Sequence, residues 1–251
     1  MRYNIYPSLL DAYQGYVDSD KIWERYWGFS ENPPHTPEEF RQKQFSDLID
    51  RINRVPYDNE AVAKGTAFNE VIDCIIEHRT SDKINIVKVF DVKETDKCTG
   101  VNATIGERTF FFPLDFIKKF SAQYEGAVTQ MYVEGVIDTT FGEVYLYGFA
   151  DEVMPFCVHD IKTASSYSVG KYKNNSQHLV YPYCLRQMGN EVSLFEYNVA
   201  VLGKTPEMFT ETYAFNETRD IPILRQKCED FIRFIEENRE LITDKKIFNG
   251  K

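Results

Sequence analysis

The chain has 251 residues, of which 43% are hydrophobic and 15% aromatic, enough apolar material for the core of one large domain. No apolar run approaches the roughly 18 residues of a membrane span, Met1 to Tyr6 lacks the apolar stretch of a secretory signal, and the dispersed cysteines (Cys74, Cys98, Cys157, Cys184, Cys228) argue for reduced thiols, so cytoplasmic residence is expected. The net charge of −10 argues against nucleic-acid binding over the whole surface, since phosphate contacts need Lys and Arg, but not against a local basic site.

Pro7 to Val17 reads as a short entry helix, with Leu9, Leu10, Tyr13 and Val17 on one side. Trp23 and Trp27 mark an aromatic helix, followed by a loop holding Pro33, Pro34 and Pro37. Thr36 then caps a helix whose first turn is Pro37-Glu38-Glu39 and whose apolar stripe is Phe40, Phe45, Leu48, Ile49 and Ile52. Residues 1–60 are expected to form a helical cap and 61–251 the core, together one compact domain. A helix led by Gly65 follows, then strand-like segments at Ile84 to Val92 and Thr109 to Phe112, and a helix from Pro113 to Tyr124. Ala127 to Asp138, Glu143 to Asp151 and Phe156 to Lys162 read as three strands, the first two joined by a turn ending at Gly142. Asn174 to Met188 reads as a helix, Val192 to Leu202 and Phe209 to Phe215 as strands, and Ile221 to Leu241 as an amphipathic closing helix. This order predicts an α/β three-layer fold, a central mixed sheet flanked by helices.

The chemistry concentrates between Gly148 and Tyr181. Side chains alternate along a strand, so Asp160 and Lys162 point one way while His159 and Ile161 point the other. The Met154-Pro155 break lets the chain turn back and lay Asp151 beside Asp160. Two carboxylates at one place suit a hard divalent cation, which takes oxygen ligands, and Lys162 would stand by an attacking water or a scissile phosphate. An acid followed two residues later by Lys occurs elsewhere in the chain, at Asp91 and Asp244. Only Asp160-Ile161-Lys162 has an apolar strand leading in, a Gly-x-x-Asp upstream and a helix with Gln177 and Tyr181 downstream. Asp138 repeats the Gly-x-x-Asp spacing after Gly135, but beside a turn, where a surface role is expected. The four histidines, His35, His78, His159 and His178, show no ligand-like spacing, so no soft-metal site is expected from them.

Gly148-x-x-Asp151, Asp160-Ile161-Lys162-Thr163 and Gln177-x-x-x-Tyr181 together resemble the PD-(D/E)XK nuclease superfamily, in particular its RecB-like and phage-exonuclease-like branch. The resemblance covers roughly Ala61 to Leu202 and implies a restriction-endonuclease-like core. It further implies Mg²⁺ or Mn²⁺ at Asp151 and Asp160, with Ile161 counted among the metal positions, Lys162 assisting the nucleophilic water, and Gln177 and Tyr181 bordering the site. The family's Gly-led helix resembles Lys64 to Ile72. Asn69 stands there where the family has His or Glu, and the carboxylate comes one residue later, so Glu70 is expected as the third ligand. No iron–sulfur cluster is expected, because the cysteines lack clustered spacing. Lys171, Lys173 and Arg186 are the expected nucleic-acid contacts. The resemblance thus implies a metal-dependent deoxyribonuclease, an exonuclease of phage or mobile-element recombination with DNA and a recombination protein as partners. The alternative is a noncatalytic nucleic-acid or protein-binding module that keeps the fold.

Overall fold

The computed structural model describes residues 2–94 and 96–248. In chain order it contains β1 (Tyr3–Ile5), α1 (Pro7–Val17), α2 (Ser19–Trp27), α3 (Pro37–Ile52), α4 (Glu60–Ile76), β2 (Asn85–Phe90), β3 (Cys98–Ile105), β4 (Arg108–Pro113) and α5 (Leu114–Ser121). There follow β5 (Val128–Thr139), β6 (Gly142–Met154), β7 (Cys157–Ala164), α6 (Gln177–Gln187), β8 (Leu194–Val201), β9 (Glu207–Ala214) and α7 (Glu217–Glu237). Among the described residues no helix is long and apolar enough to cross a membrane.

The main sheet runs β1-β6-β7-β8-β9, with β5 also paired to β6. It is mixed: β1 with β6 and β7 with β8 are parallel, and the other pairs antiparallel. Each face is covered by its own core. One holds Leu9, Leu48, Val158, Tyr181, Leu185 and Phe231 against α1, α3, α6 and α7; the other packs Ala67, Phe68, Ile72, Phe112 and Phe120 of α4, β4 and α5 onto Ile161 and Ala200. The α/β three-layer architecture expected from the order of elements is present.

Local sequence explains the boundaries that matter. Thr36 and Glu39 make a reciprocal capping box at the start of α3, and Asn59 accepts from Val62 N at the start of α4. Between β6 and β7 only Pro155 and Phe156 turn the chain, Met154 pairing with Cys157. Phe156 sits at φ +66°, the left-handed backbone that the second turn residue after a proline adopts. That tight hairpin sets Asp151 and Asp160 at matching positions.

Two strands were not legible in the sequence. β1 adds to the main sheet, so the N-terminal residues begin in the central layer before entering α1. β3 carries Thr99, Gly100, Asn102 and Thr104 and lacks a clean alternation; it joins β2 and β4 in a separate three-stranded sheet. Gly100 is required there, because a Cβ would come within 2.5 Å of the Phe111 ring and the Phe112 carbonyl. Val17, expected on the apolar side of the entry helix, is exposed.

Candidate active site

The site lies where β6 loses its neighbour. One edge of β6 is paired by β5 along nearly its whole length. The other edge is shared: β1 takes Val144, Tyr145 and Leu146, and β7 takes Glu152, Val153 and Met154. Residues 147–151 have no strand partner on that edge, since β7 parts from β6 after His159 and continues along β8. A fork therefore opens in the sheet, with Asp151 at its crotch.

Diverging strands leave backbone groups to be satisfied by other means. The Ile161 N–H donates to Asp151 Oδ2 at 2.7 Å. The N–H and C=O of one strand residue point to the same edge, so the Ile161 carbonyl also opens toward the fork. Asp160 is 2% exposed and forms an ion pair with Lys162 Nζ at 2.6 Å. Lys162 Nζ donates to Gln177 Oε1 at 2.7 Å, and Gln177 Nε2 donates in turn to Asp160 Oδ1. This closed triangle holds the ammonium in one place. Gln177 opens α6, and Tyr181, one turn on, lays its ring on Gly148, where a Cβ would come within 2.8 Å of the ring. The Gly of Gly-x-x-Asp is thus a close approach between sheet and helix.

Burial, then the charge of Asp160, pushes the Asp151 carboxyl up to about 8, against the Ile161 N–H and Lys162. Asp160 is also raised, by burial, although Lys162 and Gln177 oppose it. Burial alone would lower Lys162, but the charges of Asp160, Asp151 and Asp11 outweigh it and raise the ammonium. Half-buried Asp151 and buried Asp160 share one ammonium, and a further cation relieves the excess. The donor set of Asp151, Asp160 and the Ile161 carbonyl is all oxygen and fits Mg²⁺ or Mn²⁺. Asn69 Oδ1 is buried without a hydrogen-bond partner, a further oxygen in need of one.

This electrostatics has a measurable sign. Asp151 rises from 3.8 to about 8 on folding, so across that window the ion-free folded protein holds more protons than the unfolded chain, and its stability falls as pH rises. Glu152, raised to about 9 by burial and then by Asp73, acts in the same direction. The melting temperature in EDTA is expected to fall between about pH 5 and pH 9, and Mn²⁺ to flatten that fall, because the ion takes the place of the protons. Identical pH profiles with and without Mn²⁺ would contradict the reading.

The structure corrects the third ligand. Both Glu70 oxygens are engaged away from the fork: Oε1 with Arg79 Nη1 at 2.6 Å and Oε2 with Lys83 Nζ at 3.0 Å. Burial would raise this carboxyl, but hydrogen bonds from Arg79, Lys83 and Ser81 hold it down to about 2. The reason is helical geometry. Gly65 packs on Thr163 of β7, Asn69 and Asp73 follow at intervals of four, and position 70 is rotated about 100° off that row. Glu70→Gln is expected to leave Mn²⁺ affinity unchanged by calorimetry while lowering the melting temperature, since it loosens Arg79 and Lys83.

Sequence reasoning missed Asp73 and Glu152, which are buried on the same side. Glu152 is fully buried, Asp73 is 2% exposed, and the two carboxyl groups stand close enough to share a hydrogen bond when one of them is protonated. Burial raises Asp73 to about 6, and Asp73 in turn raises Asp151. The four-residue step from Asn69 was the available signal.

The expected basic contacts do not gather at one point. Lys171 Nζ donates to Ser166 O at 2.9 Å, and Arg186 lies at the far end of α6, paired with Glu217 at 2.7 Å. Lys173 lines a cavity of about 950 Å³ together with Lys21, Arg25, Arg219 and Lys227. This cavity adjoins the fork, because Asp11 in its wall accepts from the N–H of Ser176, next to Gln177, at 2.6 Å. On the other side, Tyr6, Tyr147, Phe149, Tyr181 and Arg54 surround a pocket of about 330 Å³ that Gln177 also lines.

No family model matches the sequence, and no curated protein matches it. Among solved structures, the chain is similar to a candidate exonuclease from Eubacterium rectale, at 13% identity and a TM-score of 0.47, over 90% of this chain and 85% of that one. It is similar to an alkaline exonuclease from Laribacter hongkongensis at 12% identity and a TM-score of 0.38, over 95% and 96% of the two chains. A third similarity, to SSO0001, has 14% identity and a TM-score of 0.36 over 47% of this chain, which spans 55% of that protein's length.

Proposed function

We propose that this protein is a divalent-metal-dependent deoxyribonuclease of the PD-(D/E)XK type, acting as an exonuclease. The observation that carries the reading is the fork itself, where half-buried Asp151, buried Asp160, the Ile161 backbone and a lysine locked by Gln177 converge. Asp151, Asp160 and the Ile161 carbonyl would hold Mg²⁺ or Mn²⁺. When bound, such an ion lowers the pKa of a coordinated water and polarises the scissile phosphate. Lys162 Nζ, fixed between Asp160 and Gln177, positions the attacking water and offsets the negative charge that develops on the phosphate. Gln177 holds both partners in register, and Tyr181 fixes α6 against β6 through Gly148.

The surroundings suit a single strand of DNA. The cavity with Lys21, Arg25, Lys173, Arg219 and Lys227 also holds Asp11, Asp18 and Asp220, and Lys21 and Arg219 are paired with Asp18 and Asp220, so it is the remaining positive excess that would attract the backbone despite the overall charge of −10. The aromatic pocket of Tyr6, Tyr147 and Phe149 is wide enough for a nucleobase to stack. A phage or mobile-element recombination setting, with a recombination protein as partner, extends this reading.

Digestion of linear, circular and single-stranded DNA in the presence of Mn²⁺ tests it. Loss of linear but not circular substrate supports an exonuclease. Cleavage of circles makes it an endonuclease, and no cleavage of any substrate overturns the enzymatic reading. One observation favours a noncatalytic binding module: Asn69 is neutral and Glu70 is committed to Arg79 and Lys83, which leaves two carboxylates at the fork. DNA binding without cleavage would select that alternative.

A further inference from the structure

The fold assembles, on the side of β7 away from Lys162, a cluster that spacing in the sequence does not reveal. Cys157 and His159 alternate onto one face of β7, and Glu196 stands beside His159 on the parallel neighbour β8, the two being register partners. One donor atom from each of Cys157, His159 and Glu196 lies within 4.8 Å of the others. His159 Nδ1 is 3.2 Å from Glu196 Oε2 and 3.1 Å from Asn198 Oδ1. His159 is 8% exposed, with the Tyr124 ring set edgewise against the imidazole at 5.4 Å, so its orientation is fixed before any ligand arrives. Thr212 donates to the second Glu196 oxygen at 3.2 Å, and Asn198 is anchored on Thr210 at 3.0 Å.

We infer that Cys157, His159 and Glu196 form a second metal site, one that takes Zn²⁺ or a similar borderline-soft ion. A tetrahedral ion with bonds of roughly 2.0–2.3 Å places its ligand atoms roughly 3.3–3.8 Å apart. The His159 nitrogen stands near that spacing from Glu196 Oε2 and Asn198 Oδ1, and the Cys157 sulfur lies within 4.8 Å of the His159 and Glu196 donors. Sulfur, nitrogen and carboxylate oxygen select zinc over magnesium, whereas the all-oxygen fork selects the reverse. Asn198 Oδ1 is positioned as a fourth ligand or as a hydrogen-bond partner of the first three. Zinc here ties β7 to β8 directly behind the strand segment that carries Asp160 and Lys162, and so stiffens the wall of the fork.

The probe is Co²⁺ added to the full chain, which shows thiolate-to-cobalt charge-transfer absorption only when sulfur is a ligand. One equivalent per chain is expected to develop that band, and Zn²⁺ to displace it. Zn²⁺ is also expected to raise the melting temperature by about 5 °C. Cys157→Ser should abolish the band and Glu196→Gln should weaken cobalt binding at least tenfold. Asp160→Ala, which disturbs only the fork, should keep both band and affinity. No band in the wild-type chain, or an unchanged band in Cys157→Ser, overturns the site. Should Cys157→Ser fail to fold, the half-buried Glu196→Gln variant decides: unaltered cobalt affinity there also overturns it. Because none of these readouts uses DNA cleavage, the outcome is independent of the nuclease reading.

Discussion

Lys162→Ala is expected to lower DNA cleavage by about 10²-fold or more while leaving Mn²⁺ and DNA binding nearly intact, the loss typical of one preorganised transition-state donor. The expectation rests on how the ammonium is held. It makes an ion pair with Asp160 at 2.6 Å and donates to Gln177 at 2.7 Å, so its position is set before substrate arrives. The ground-state contribution is small, because Asp151 and Asp160 supply the attraction for the ion. Removing the ammonium therefore affects kcat more than KM. Single-turnover cleavage at saturating Mn²⁺ separates the two, and full activity in the variant would remove Lys162 from the mechanism. Gln177→Ala should show a milder form of the same defect, since the lysine keeps Asp160 but loses the partner that aims it.

Asp160→Ala is expected to abolish measurable divalent-ion binding at the fork in calorimetry. The fork offers two carboxylates, because Glu70 is held by Arg79 and Lys83, and losing one leaves Mg²⁺ with water for most of its shell. The variant also frees Lys162 from its buried partner and leaves a cation beside Asp151. Ion-free Asp160→Ala should consequently fold stably, its Asp151 paired with Lys162, so that lost binding is not lost structure. Unchanged Mn²⁺ binding by a folded variant would place the ion elsewhere.

The sequence by itself determined the elements whose pattern is local. Pro7–Val17 and Pro37–Ile52 begin where proline and the Thr36 cap say they should, and the alternation from Val128 to Met154 reads directly as two long paired strands. The set Gly148, Asp151, Asp160, Lys162, Gln177 and Tyr181 came from the resemblance of their motifs, and periodicity added only that Asp160 and Lys162 share a strand face and Gln177 and Tyr181 a helix face. Three features depended on which distant elements meet. The fork exists because β1, from the extreme N-terminus, takes the edge of β6 that β7 abandons, a long-range pairing that no spacing encodes. Whether Asn69 or Glu70 belongs to the row facing β7 depends on how α4 is rotated, and the contact of Gly65 with Thr163 decides it. The Cys157, His159 and Glu196 cluster forms because β7 and β8 pair in parallel at one register, His159 beside Glu196, and a slip of one residue would turn Glu196 to the opposite face.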